Sequence, residues 1–161
     1  MRKLLFIKTR AAASESEVRE FEGRWGVKLP MAFKQFCLEV NGGTPDSAND
    51  FFPVEDRYTE FHEEYGSPAG CAGVGVAWFE ALTGERSIDK TMQTLIDSNQ
   101  LLPNRIPFAH EGCGNILMLS IGPNDSGAVY YWEHEFQKDF LIADSFESFL
   151  DGLGPIPEEC K

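Results

Sequence analysis

Positive charge is scarce in this chain of 161 residues: 14 Lys and Arg stand against 26 Asp and Glu, a formal charge of −12. Such a field repels nucleic acid and anionic membranes and attracts basic partners, although acidity also serves solubility alone. Basic patches interleaved with aromatics, the footprint of nucleic-acid binding, are missing. Histidine is rare, with three residues, and the four cysteines (Cys37, Cys71, Cys113, Cys160) have no CxxC spacing, so neither a structural zinc site nor another cofactor is expected. Long apolar runs are also lacking. Met1 to Ile7 holds only Leu4, Leu5, Phe6 and Ile7, too little for a signal peptide, and nothing approaches membrane-spanning length. The expectation is a cytoplasmic protein with reduced thiols.

What the chain does have is apolar content of 42%, including 13 Phe, enough to fill a core, and its length predicts one domain over residues 1–161. The charge is lopsided. Arg2, Lys3, Lys8 and Arg10 occupy a first decade without acids, whereas Glu39 to Glu85 holds ten acids and only Arg57, and Ile106 to Cys160 ten acids and only Lys138.

Glu20 to Gly43 is the most specific stretch. Ser14 with Glu17 forms a capping box that starts a helix, on which Val18, Phe21 and Trp25 share one face. Gly26 lets the chain reverse, and Leu29 and Pro30 open a second helix, since the first turn needs no amide hydrogen from proline. Phe33, Phe36, Cys37 and Val40 recur at helical spacing, and Asn41, Gly42 and Gly43 supply left-handed conformations that stop the helix.

Beyond it, Phe51 to Val54 is a short apolar segment, Tyr58 to Gly73 is acidic and loop-like, and Gly73 to Phe79 predicts one strand. Ser87 caps a helix with Ile88, Met92, Leu95 and Ile96 on its apolar side. Ile106 to Ala109, Asn115 to Ile121, Ala128 to Glu133 and Phe140 to Ala143 predict antiparallel strands separated by turns. Ser145 caps a last helix that packs Phe146, Phe149, Leu150 and Leu153 on the sheet. The fold class is α+β: an antiparallel meander flanked by an N-terminal helical pair and a C-terminal helix.

Catalytic signals are weak. His110 and Cys113 lie three residues apart in a glycine-bordered turn, but no activated-cysteine signature surrounds them. Cys71, His110, Cys113 and His134 could meet on neighbouring strands, without zinc-like spacing. Gly73-Val74-Gly75 and Gly112-Cys113-Gly114 lack the pattern of a phosphate loop. No enzymatic activity is expected. On the strand from Ala128, the residues Tyr130, Trp132 and His134 alternate with Glu133 and Glu135. If the first set faces solvent it offers aromatic anchors for a partner; if it faces a helix it is core, and alternation does not choose.

The helix–Leu-Pro–helix–Asn-Gly-Gly arrangement, together with Leu101 to Ser120, Gly127 to Glu135 and Ile142 to Leu153, resembles the SUKH superfamily. That group includes the Smi/Knr-type cell-wall regulators and many bacterial toxin-immunity proteins; residues 44–100 match it only loosely. The resemblance implies that Leu29, Pro30, Phe33, Phe36, Asn41, Gly42, Gly43, Pro107, Phe108 and Gly112 set turns and core. It further implies a non-catalytic protein-binding role: neutralising a toxin, or serving as a regulatory or scaffold module for a peptide or host protein. Many such toxins act on nucleic acid through basic clefts, which an acidic inhibitor would be steered to fill. Charge, and not the resemblance, selects Glu55, Asp56, Glu60, Glu63, Glu64, Glu133 and Glu135 as partner contacts, with Trp132 as anchor.

Overall fold

A computed structural model describes residues 4–66 and 72–158. Lys8 of the basic first decade lies in a strand, β1 (Phe6–Thr9), ahead of the helical pair α1 (Glu15–Trp25) and α2 (Met31–Glu39), while Arg2 and Lys3 lie outside the described residues. The predicted capping box is present: Ser14 Oγ accepts the Glu17 amide at 3.2 Å, and Glu17 accepts the Ser14 amide at 2.7 Å. Gly26, with φ +65°, ends α1. Pro30 stands one position earlier than expected, as the N-cap of α2, whose Phe33, Phe36 and Cys37 are buried. The Asn-Gly-Gly passage does more than stop α2. Asn41 is not left-handed; its Oδ1 accepts the Leu82 amide at 2.9 Å. Gly42 (φ +80°) lies so close to Ala81 that a Cβ would come within 2.6 Å of its nitrogen.

The chain continues through β2 (Gly43–Pro45), β3 (Phe51–Pro53), α3 (Thr59–Tyr65), β4 (Gly73–Gly75), β5 (Trp78–Phe79) and α4 (Ile88–Asp97). It ends in the meander β6 (Arg105–His110), β7 (Ile116–Ser120), β8 (Val129–Glu133) and β9 (Lys138–Ala143), closed by α5 (Phe146–Gly152). The seven-stranded sheet runs β1-β2-β5-β6-β7-β8-β9 with every pairing antiparallel, and β3 and β4 form a separate pair.

Four further expectations about the elements need correction. Tyr58 to Gly73 is not all loop, because Phe61 and Tyr65, four residues apart, hold α3 on the sheet through edge-on contacts with Tyr131 and Phe140. Gly73 to Phe79 is two strands: the Val76 amide bonds Asp50 while that of Ala77 bonds His110, so the backbone changes sheet between them. The buried stripe of α4 is Ile88, Met92 and Leu95, which leaves Ile96 44% exposed. Gly112 is exposed without a left-handed backbone; Gly114, at φ +101°, is the residue the β6–β7 turn requires.

Phenylalanine fills the main core. Phe33 meets Phe146 edge-on at 5.1 Å, and Phe108 joins both, so α2 and α5 pack on one face of the sheet. Leu29, Phe33, Phe36, Pro107 and Phe108 are all buried as expected. The other face of β7 and β8 is sealed by a smaller cluster of Leu95, Ile116, Met118 and Trp132 beneath α4. No helix among the described residues is long and apolar enough to cross a membrane.

Candidate functional site

Acids from three remote stretches converge at the β8–β9 edge of the sheet. Glu60, Glu63 and Glu64 are exposed on α3; Glu135 is exposed in the hairpin after β8; Glu111 borders the β6–β7 turn. Tyr65 senses the convergence: burial first, and then the carboxylates of Glu133, Glu64, Glu111 and Glu135, push its phenol up to about 12. Between α3 and β9 runs a groove of about 370 Å³ lined by Glu60, Glu63, Glu64 and Asp139. Its cation, Lys138, reaches Glu64 at 3.8 Å. The groove thus holds an excess of negative charge.

The remaining predicted contacts fall in three different environments. Glu55 and Asp56 are exposed just before α3, but Arg57 spans Glu55 at 2.8 Å and Asp144 at 2.5 Å, partly neutralising that corner. Glu133 is buried, and its two oxygens accept the amides of Glu135 and Phe136, so it builds the hairpin turn. Trp132 is 1% exposed beneath α4 and cannot serve as a surface anchor. The reason is that β8 is covered on both faces: Tyr131 packs under α3 and Trp132 under α4.

An exposed aromatic ring is nevertheless present four residues further along the chain than Trp132. Phe136, at the tip of the β8–β9 hairpin, is 73% exposed among these acids. A large apolar side chain in a turn between two strands was the available signal, since turns ordinarily select small polar residues. Behind the face, Asn115 organises a buried polar node. Its amide donates to Glu111 at 2.8 Å and to the Tyr131 hydroxyl, while its oxygen accepts the backbone amide of His134 at 3.3 Å. The β6–β7 turn and the β8–β9 hairpin are therefore fixed to one another.

The catalytic candidates are placed differently. His110 Nε2 lies 2.7 Å from Oε1 of buried Glu80, which also accepts from the Thr91 hydroxyl, and the imidazole stacks on Trp78 at 4.7 Å. Cys113 is an exposed thiol in the turn. Burial pushes the Cys37 thiol far up, as suits a core residue. Among the described residues no three His, Cys, Asp or Glu side chains gather as metal ligands would; Cys71 and Cys160 lie outside those residues. What the sheet edge presents to solvent is an acidic groove beside an exposed aromatic ring.

No curated protein matches the chain. The helical pair, the meander and the closing helix instead fall within a match to a family model over residues 12–152, and the chain belongs to the SMI1 / KNR4 family (SUKH-1).

Proposed function

We propose that this chain, acting as one domain, is a bacterial immunity protein that neutralises a toxin by binding it and performs no catalysis of its own. The family supplies the class, since SUKH proteins include toxin-immunity proteins. The observation that carries the reading is the gathering of Glu64, Glu111 and Glu135 near Tyr65, with Glu60 and Glu63 lining the adjoining groove and Phe136 exposed in the same hairpin as Glu135. A basic toxin cleft, such as that of a nuclease, would be drawn to this face at long range and anchored by the ring at short range. Neither nucleic acid nor an anionic membrane is a partner in this reading, because both would meet the same repulsive field.

The deciding experiment expresses the toxin encoded beside this gene in bacteria with and without this protein, and repeats the comparison with Glu60, Glu63 and Glu64 all changed to Lys. Protection by the natural chain and its loss in the charge-reversed one are expected. Absence of both protection and a pulled-down complex would overturn the proposal. The second reading, a regulatory or scaffold module for a peptide or host protein, is favoured if the neighbouring gene encodes no long secreted protein ending in a small toxin domain.

A further inference from the structure

One face of the sheet is only partly covered. Trp78 of β5 stands opposite His110 of β6, His110 opposite Ile116 of β7, and Ile116 opposite Trp132 of β8. Residues paired across strands share a face, so these four form one row. α4 seals its Ile116 and Trp132 end through Leu95. In the other direction the register continues the row through Thr44 of β2 to Lys8 of β1. There the sheet opens into a groove of about 320 Å³, whose lining includes Lys8, Thr44 and Trp78.

This groove is basic in an acidic chain. Arg10 and Arg86 join Lys8 in its lining, against the single acid Glu85. Arg10 donates to the backbone carbonyls of Thr83 and Glu85, which ties the loop before α4 to the end of β1. Arg86 stands over the Trp78 ring at 5.3 Å. Positive charge thus surrounds a half-buried indole, a setting that suits a partner bringing a carboxylate and a ring side by side.

The chain itself carries that combination. Glu135 and Phe136 are adjacent and exposed at the tip of the β8–β9 hairpin. Neither lines the groove of its own chain, because β6 and β7 stand between β5 and β8. We propose that the β8–β9 hairpin of one copy enters the basic groove of a second copy. Phe136 would meet the Trp78 ring, and Glu135 the cations of Lys8, Arg10 and Arg86. Two different patches meet, so the contact is heterologous. Charge complementarity selects this occupant: the groove has an excess of bases, and the hairpin lies among acids. A free anion would answer the cations but leave Trp78 and Phe136 unmatched. Seated in this way, Phe136 is covered, so self-association and recognition of a basic partner compete for one ring. Purified chain alone displays the contact, so its fate does not depend on the toxin reading.

The test is sedimentation of the full chain from micromolar to millimolar concentration, at low and high salt. The natural chain should pass from monomer to larger species, and added salt should reverse the passage. Amide hydrogen exchange in the associated state should slow in the hairpin and around Trp78. Phe136→Ala and Lys8→Glu, both at exposed positions, should each weaken association at least about tenfold. Lys8→Glu and Glu135→Lys should each associate poorly alone, yet their mixture should associate, because the reversed hairpin then finds a reversed groove. The measurements on the natural chain stand even if a variant folds poorly. A chain that stays monomeric throughout, association indifferent to salt, or a mixture of folded variants no better than its parts overturns the proposal. So does exchange slowed only at β1 or α3, which places the contact elsewhere. Inorganic phosphate that binds the groove of a chain still monomeric marks an anion site only and overturns it as well.

Discussion

One carboxylate oxygen of buried Glu133 accepts the amide of Phe136 at 2.6 Å, and the other accepts the amide of Glu135 at 2.9 Å. A residue that charge alone nominates as a partner contact is therefore the internal brace of the hairpin that presents one. Glu133→Ala strips both amides of their acceptor and should cost about 1–3 kcal/mol of folding stability. A denaturant midpoint equal to that of the natural chain would mean the turn is held by something else.

Phe136 should behave in the opposite way. At 73% exposure it supports little of the fold, so Phe136→Ala should shift stability by no more than about 0.5 kcal/mol. As the anchor of the acidic face it should cost about 2 kcal/mol or more of toxin affinity. Calorimetric titration of the variant separates the two effects, and undiminished affinity removes this ring from the interface.

Reversing Glu60, Glu63 and Glu64 to Lys tests steering. Their one ion pair among the described residues, Glu64 with Lys138 at 3.8 Å, joins two well-exposed side chains and is worth little to the fold. The unfolding midpoint should barely move. The association rate with a basic partner should fall steeply, and its dependence on salt should flatten. Stopped-flow association at two ionic strengths makes the comparison.

Much of the architecture was legible because its periodicities are strong. The Phe33–Phe36–Cys37 stripe, the capping box at Ser14 and the four strands of the meander all stand where spacing puts them. Phe36 is 4% exposed between Phe33, Phe79 and Phe146, so Phe36→Ala should cost about 3–5 kcal/mol, read as a lowered melting midpoint. What could not be read were consequences of distant contacts. α3 has seven residues and little apolar pattern beyond Phe61 and Tyr65; the sheet beneath makes it a helix. The break after β4 is decided by Asp50 and His110, residues remote in sequence from Val76 and Ala77. Alternation in β8 distinguishes two faces but not which is covered, and here helices cover both. The acidic site itself joins Glu64, Glu111 and Glu135, whose proximity exists only once α3 and the hairpin have packed.

Glu22 is the buried acid on which the helical pair turns. Its Oε1 accepts the Leu29 amide at 2.9 Å and lies 3.1 Å from Lys34 Nζ, tying α1 to the Leu-Pro entry of α2. Burial alone would raise its carboxyl, but the Leu29 hydrogen bond together with Lys34 and Lys28 outweighs that and holds it below its ordinary value of 4.5. A carboxyl lowered in the folded state stabilises fully above its unfolded value and loses that contribution as pH falls through the folded one. Glu22→Gln should therefore be less stable than the natural chain at pH 7, by about 1–3 kcal/mol. The gap should narrow on acidification below about pH 4, where the natural carboxyl becomes protonated and as neutral as the amide. Denaturant midpoints of both chains at neutral and strongly acid pH supply the check. A gap that stays constant would assign the effect to shape, because only the charge on Glu22 can make the difference between the two chains depend on pH.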